Sequence, residues 1–231
     1  MAIKGNFFPK KIFIYDKIFY NYNIIKPFFS ITYLINKKNF KKLVYRENSD
    51  GIAALFKEHT VNKLKNIKIT NNCLILIFDG IEKPGNLGAM LRTANAAGAH
   101  FIILCNIKTY IFNSNIIRSS LGSVFTSKII IENEIKLIVS WLQKNNIKIV
   151  VTGIYKNAKN LYKTNLSFSK IAIILGSEDK GVSNIWLNKT KKIITIPMFG
   201  TIDSLNVSNA MSIIIYEIIR QRYYLNGFRF S

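Results

Sequence analysis

The segment NCLILIFDGIEKPGNLGAMLRTANAAGA, residues 72–99, decides the fold class. Its first part, 72–80, is a short continuous apolar run closed by Asp79 and Gly80. A run apolar on both faces suits a strand buried inside a parallel sheet. Pro84 and Gly85 mark a loop, and Asn86 is placed to cap the helix that follows. The residues after Asn86 have helical spacing and end at Gly98. Strand, loop and helix in this order form one unit of an α/β domain.

The alternation continues toward the C-terminus. HFIILCN (100–106) reads as a second buried strand, and IIRSSLGSVFTSKI (116–129) as a short helix leading into a strand. EIKLIVSWLQKNN (134–146) carries Ile135, Ile138, Val139 and Leu142 on one helical stripe. IKIVVTGI (147–154), SKIAIILGSED (169–179) and KKIITIPM (191–198) read as strands, the last two running into loops. VSNAMSIIIYEIIRQRYY (207–224) reads as a long closing helix. The whole pattern predicts an α/β fold with a parallel sheet. Toward the N-terminus it blurs. Residues 1–50 are lysine-rich and aromatic without a clear period, and YRENSDG (45–51) ends in a turn signal. A boundary is therefore placed between residues 46 and 70.

The chain has 231 residues, 49% of them apolar, enough for one sizeable core or for a main domain with a smaller one. The formal net charge is +21, which attracts polyanions such as phosphate backbones. Most of the cations are lysines in a chain crowded with Ile, Asn, Phe and Tyr, a composition that an A+T-rich coding sequence also produces. The charge therefore points to nucleic acid only in company with a catalytic motif.

Cys73 and Cys105 stand alone in apolar runs and read as buried thiols of a reducing compartment, not as a disulfide framework. His59 and His100 have no partner at ligand spacing, so a zinc site is not expected and both read as structural. No apolar run approaches the roughly 20 residues of a membrane span. Asp16 and Lys17 interrupt the apolar N-terminal stretch, and no small-residue cleavage site follows. A cytoplasmic location is expected.

A dinucleotide-binding fold would place G-x-G-x-x-G after its first strand, with an acid beyond it. Here the junction is Gly85-Asn86-Leu87-Gly88, and Asp79 precedes it. No P-loop occurs either. Three other segments are too polar for plain core: PGNLGAMLRTANAAGA (84–99), ILGSEDKGVS (174–183) and IPMFGTIDSLNVSNAMSIIIYE (196–217). Taken in this order they resemble the three motifs of the SpoU/TrmH family of the SPOUT superfamily: N-x-G-x-x-x-R, L-G-x-E-x-x-G and I-P-M-x-G-x-x-x-S-L-N-V-S. NIIRSSLGSVF (115–125) resembles the stretch between the first two, and the likeness spans about residues 72–224.

The resemblance implies an RNA 2′-O-ribose methyltransferase that uses S-adenosylmethionine. It implies a parallel α/β domain with a C-terminal deep trefoil knot, an exception to the rule that chains are unknotted, and a homodimer with sites at the interface. It implies that Gly176, Ile196 and Leu205 contact the cofactor through main chain and apolar surface. Leu175 and Met198 would complete a pocket for a flat adenine. Gly176 would let backbone approach that ligand without a Cβ in the way.

Arg92 matches the family arginine thought to act on the ribose hydroxyl. Arginine stays protonated, so the firmer physical role is to position phosphate and the 2′-oxygen and to stabilise developing negative charge. A bare arginine on a helix is otherwise a solvated charge. Asn86 matches the first motif's asparagine, with a plain helix cap as the other account. Glu178 is expected to pair with Arg92 or another donor and orient the site, because a carboxylate buried alone is costly; otherwise it is a solvated loop acid. Ser204 and Asn206 would present a hydroxyl and an amide beside the transfer point, or form a turn and a cap. Arg118 is assigned to RNA phosphate, and an exposed structural role fits it equally.

Two regions follow: residues 1–60, a reduced N-terminal α/β substrate-binding region that chooses the RNA, and residues 70–231, the methyltransferase domain. YRENSDGIAALFK (45–57) would connect them. Aromatics interleaved with lysines at 7–45 suit base stacking and phosphate contact, and suit the core of a small domain equally. Two rival functions are a non-catalytic RNA-binding relative and a base-directed knotted methyltransferase. The intact set Asn86, Arg92, Glu178, Ser204 and Asn206 opposes the first, and the S-L-N-V-S segment opposes the second.

Overall fold

In a computed structural model, which describes residues 1–44, 49–57 and 61–225, the chain divides into two units, Ala2–Thr60 and Val61–Ser231 with Met1. His59 and the start of the 45–57 connection lie outside the described residues.

Among its described residues, the N-terminal unit forms a three-stranded sheet. Strand β1 (Pro9–Ile14) lies between β2 (Thr32–Leu34), parallel to it, and β3 (Ile52–Phe56), antiparallel. Helix α1 (Lys37–Leu43) follows β2, and the Asn36 carboxamide oxygen caps it by accepting from the Asn39 N–H at 2.9 Å. Ile12, Ile14, Phe19 and Ile25 form its small core, with Phe28 and Ile52 packed against it. The sequence showed no period here because β1 spans six residues and its register shifts between Pro9 and Lys11.

Among the described residues, the second unit holds seven strands, all paired in parallel. In chain order its elements are β4 (Cys73–Asp79), α2 (Pro84–Ala96), β5 (Phe101–Cys105), α3 (Ser114–Ser119), β6 (Ile129–Ile131), α4 (Ile135–Lys144), β7 (Lys148–Thr152), β8 (Lys159–Asn160), β9 (Lys170–Gly176), α5 (Asn184–Lys189), β10 (Ile193–Thr195) and α6 (Val207–Arg220). The sheet order is β6-β5-β4-β9-β7-β10-β8. After β6 the chain crosses to the other side of β4, and the late strands β9 and β10 insert on either side of β7.

Every residue of β4 is buried, and its side chains alternate between two cores. Leu74, Leu76 and Phe78 pack with α2, α3 and α6 on one face. Cys73, Ile75 and Ile77 pack with α4 and with Trp186 of α5 on the other. The stripe Ile135, Ile138, Val139 and Leu142 is the buried face of α4. Gly88 lets α2 lie against α3: a Cβ there would stand 2.9 Å from the Ile116 carbonyl and closer still to Ser119. Cys73 and Cys105 are buried free thiols, and burial pushes the Cys73 pKa up to about 11. His100 Nδ1 accepts from the Leu74 N–H at 3.2 Å, a structural role.

Two expectations about helix ends change. Helix α2 starts at Pro84, with Lys83 in the cap position, so Asn86 is a first-turn residue rather than the cap. Proline fixes φ for the first helical turn and needs no N–H partner there. The closing α-helix ends at Arg220, and a wider π-type turn covers Gln221–Leu225. Buried polar groups explain the change. Gln221 accepts from the Leu166 N–H at 2.6 Å and donates to the Thr164 carbonyl at 3.0 Å. Arg222 donates to the carbonyls of Phe168, Ser169 and Cys73 at 2.6, 3.0 and 3.2 Å. No helix among the described residues is long and apolar enough to cross a membrane.

Candidate active site

A cleft of about 650 Å³ opens at the carboxyl ends of three neighbouring strands. Thr152 ends β7, Leu175 and Gly176 end β9, and Thr195 ends β10; all four line the cleft. Strand carboxyl ends near a reversal of strand order are where α/β sheets hold ligands. Ile196, Met198, Leu205, Val207 and Ile214 supply an apolar wall, and Ser204, Asp203 and Glu178 bring polar groups to it. The five residues assigned to the cofactor from sequence (Leu175, Gly176, Ile196, Met198 and Leu205) therefore meet in one cleft.

Gly176 is required by the fold itself. A Cβ on it would stand 2.1 Å from the Gly181 carbonyl carbon and 2.4 Å from the Val182 nitrogen. The close approach is by the chain's own backbone, folding back after β9. The fold-back is held by two main-chain hydrogen bonds between Ser177 and Gly181, of 3.1 and 3.0 Å. Buried Asp79 fixes its far end by accepting from the Ser183 N–H at 2.7 Å, while its other oxygen accepts from Asn106.

Glu178 projects from this loop and ties the three motifs together. Its Oε1 accepts from Asn206 Nδ2 at 2.7 Å, from Asn86 Nδ2 at 3.0 Å and from the Val207 N–H at 3.4 Å. Its Oε2 accepts from Lys83 at 2.6 Å. The Lys83 hydrogen bond is the main cause that holds the carboxyl below the ordinary glutamate range, aided by the N–H at the start of α6. Glu178 thus pairs with Lys83 and two amides, and Arg92 takes no part. Asn206 also donates to Asn86 Oδ1 at 3.2 Å and caps α6 by accepting from the Ser208 N–H. The cap reading of Asn206 is thus observed, and the same side chain also binds Glu178. Ser204 keeps its hydroxyl free of protein partners among the described residues, beside the same cleft.

Two sequence candidates stand apart. Arg92 lies six residues beyond Asn86 on α2, is exposed, lines neither recess and pairs with nothing among the described residues. Arg118 on α3 is exposed and donates to Asn115 Oδ1 at 3.0 Å, away from the cleft. Sequence reasoning missed Lys83, and it missed the segment Thr152–Tyr155 along the cleft. The position of 152–155 just after a strand was the available signal, by the strand-end rule. A second recess of about 70 Å³ shares Ser177, Glu178, Asp179 and Lys180 with the cleft and adds Lys83 and Asn86.

The family model of the SpoU rRNA methylases matches residues 73–216, from the first residue of β4 into α6. The chain belongs to the SpoU rRNA methylase family. Every segment that resembles a SpoU motif falls inside that match, apart from Glu217 at its edge. The chain is 32% identical over 192 residues to the 23S rRNA (guanosine-2′-O-)-methyltransferase RlmB of Haemophilus influenzae, covering 81% of this chain and 78% of that protein. A solved RNA 2′-O ribose methyltransferase superposes with a TM-score of 0.80 at 30% identity, over 96% of this chain and 84% of that one. The AdoMet-bound rRNA methyltransferase of Sinorhizobium meliloti shares the SpoU fold, with a TM-score of 0.84 at 24% identity over 95% of this chain and 83% of that one.

Proposed function

We propose that this SpoU-family chain transfers a methyl group from S-adenosylmethionine to a ribose 2′-hydroxyl in rRNA or tRNA. The observation that carries the reading is the Glu178 cluster. The second motif's carboxylate binds residues of the first and third at the mouth of a cleft with an apolar wall. The residues fit the cofactor: the cleft has the size of a nucleoside-sized ligand site, with a few polar groups against aliphatic side chains. Leu175, Gly176, Ile196, Met198 and Leu205 would hold it.

When bound, S-adenosylmethionine supplies an electrophilic methyl on a sulfonium centre. The protein's own contribution is positional. Glu178 fixes Asn86 and Asn206 and the start of α6, so the cleft wall from Leu205 to Val207 is set before RNA arrives. Ser204 offers a hydroxyl for the incoming ribose. Arg92 positions phosphate and the 2′-oxygen and stabilises the charge that develops there. Within one chain it lies outside the cleft, so we assign it to a homodimer in which the arginine of one copy completes the cleft of the other. The knotted closure implied by the resemblance, and an N-terminal unit that selects the RNA, belong to the same reading.

Incubation of the chain with S-adenosylmethionine and total RNA is expected to leave one ribose position resistant to alkaline cleavage. Methyl transfer to a base instead, or cofactor binding without transfer to any RNA, would sink the ribose assignment.

A further inference from the structure

The N-terminal unit carries a solvent-facing patch whose chemistry the methyltransferase site does not use. Along β1, Ile12 and Ile14 turn into the small core, so Lys11 and Phe13 face the other way. Register places Tyr33 of β2 beside Phe13 on that same face. The two rings stack, with centroids 5.8 Å apart and planes 29° from parallel. The Lys11 ammonium lies over the Tyr33 ring, 5.8 Å from its centre. On the far side of β1, Leu55 of β3 sits opposite Lys11. Tyr33 is 47% exposed and Leu55 54% exposed.

We infer that this face, built on Lys11, Phe13 and Tyr33, is a stacking platform for unpaired nucleotides of the RNA substrate. Flat aromatic surface is sequence-tolerant, because every base presents a π-face, and a neighbouring lysine meets the phosphate that follows it. Base faces inside an A-form duplex are already stacked, so the platform distinguishes loops and single strands from helices. Charge selects RNA over a second copy of the chain as the occupant. Residues 1–60 hold eleven Lys and Arg against four Asp and Glu, so two such units facing each other repel, whereas a polyanion is attracted. Of the aromatics interleaved with lysines near the N-terminus, Phe19 and Phe40 are buried, whereas Phe13 and Tyr33 reach solvent.

The inference rests on RNA being the substrate, and its test separates it from the methyl-transfer reading. The full chain, without S-adenosylmethionine, is titrated into a short fluorescein-labelled uridine oligonucleotide and, separately, into a labelled RNA duplex. Tyr33→Ala is expected to weaken oligonucleotide binding about tenfold and to leave duplex binding unchanged. Tyr33→Phe, which keeps the ring, is expected to bind as the wild type does. Lys11→Gln is expected to weaken binding and flatten its salt dependence. Thermal melting of each variant shows that the unit remains folded. Wild-type oligonucleotide affinity in both Tyr33→Ala and Lys11→Gln would overturn the platform. So would a Tyr33→Ala variant that loses self-association in light scattering while its RNA affinity stays intact. Absence of methyl transfer by the wild-type chain sinks the enzymatic reading alone, because the titration contains no cofactor.

Discussion

Lys83 and Glu178 meet across the site with Nζ 2.6 Å from Oε2, although they lie 95 positions apart in the chain. Lys83 stands just before α2, and Glu178 on the fold-back after β9. The hydrogen bond lowers the glutamate's pKa and raises that of the lysine, two directions that agree. Oε2 is thereby engaged, and Oε1 serves Asn86, Asn206 and the Val207 N–H.

Removing that lysine has a signed consequence. In Lys83→Gln the Glu178 pKa is expected to rise toward the ordinary glutamate value of about 4.3. The acid limb of kcat/KM then moves to higher pH, because the carboxylate must be ionised to accept from both amides. The stability it lends follows the same sign: full above the unfolded-state pKa, and lost as pH falls through the depressed folded one. The Lys83 side chain is 71% exposed, so the loss at neutral pH is several-fold rather than orders of magnitude. Lys83→Arg is expected to restore both. A pH–rate profile of Lys83→Gln that overlays the wild type would remove Lys83 from the site.

Gly176→Ala tests the fold-back. The new methyl would collide with main-chain atoms of Gly181 and Val182, which no side-chain rotation relieves. A destabilisation of about 1–3 kcal/mol is expected, with a loss of S-adenosylmethionine affinity measured by calorimetry. Gly85→Ala is the matched control, since its Cβ would enter open space. Equal cofactor affinity in the two variants would contradict the assignment of the fold-back to the cofactor wall.

Elements with a long, regular apolar pattern were legible in the sequence. β4 read as doubly buried because all seven of its residues are buried, and α4 because its stripe repeats over about two turns. The shared cleft of Leu175, Gly176, Ile196, Met198 and Leu205 was legible through motif order rather than periodicity. Lys83 was not, because a contact between residues 83 and 178 leaves no local pattern and the residue sits next to a helix-starting proline. Asn86 misled as a cap because Pro84 starts α2 two residues earlier. The N-terminal sheet was hidden by strand length: three residues in β2 cannot show alternation.

The C-terminal turn provides a stability test away from the cleft. Arg222 is buried, and its guanidinium donates to three main-chain carbonyls, of which Ser169 also accepts from the Cys73 N–H at 2.8 Å. Arg222→Met keeps much of the stem and deletes the donors. A loss of about 2–4 kcal/mol in urea unfolding is expected, the cost of stranding buried acceptors. Its cofactor affinity below the unfolding range should match the wild type. An unchanged urea midpoint would mean that water satisfies those carbonyls.

Arg92 decides whether the site is built by one chain or two. It is exposed, absent from the lining of the cleft, and separated from Asn86 by one and two-thirds turns of α2. Arg92→Ala is expected to abolish methyl transfer while S-adenosylmethionine still binds, because no cofactor-wall residue touches it. Glu178→Gln is expected to leave almost no transfer as well, by loosening Asn86 and Asn206. Each variant alone is inactive or nearly so. If the arginine of one copy serves the cleft of the other, mixing and re-associating the two variants creates heterodimers with one intact site. Random pairing then restores roughly a quarter of wild-type activity. If both residues serve the same chain's cleft, every site in the mixture carries a lesion and no activity returns. Restored transfer on mixing therefore places Arg92 in the neighbouring copy's site, and its absence, with re-association confirmed by sedimentation, assigns the arginine to its own chain.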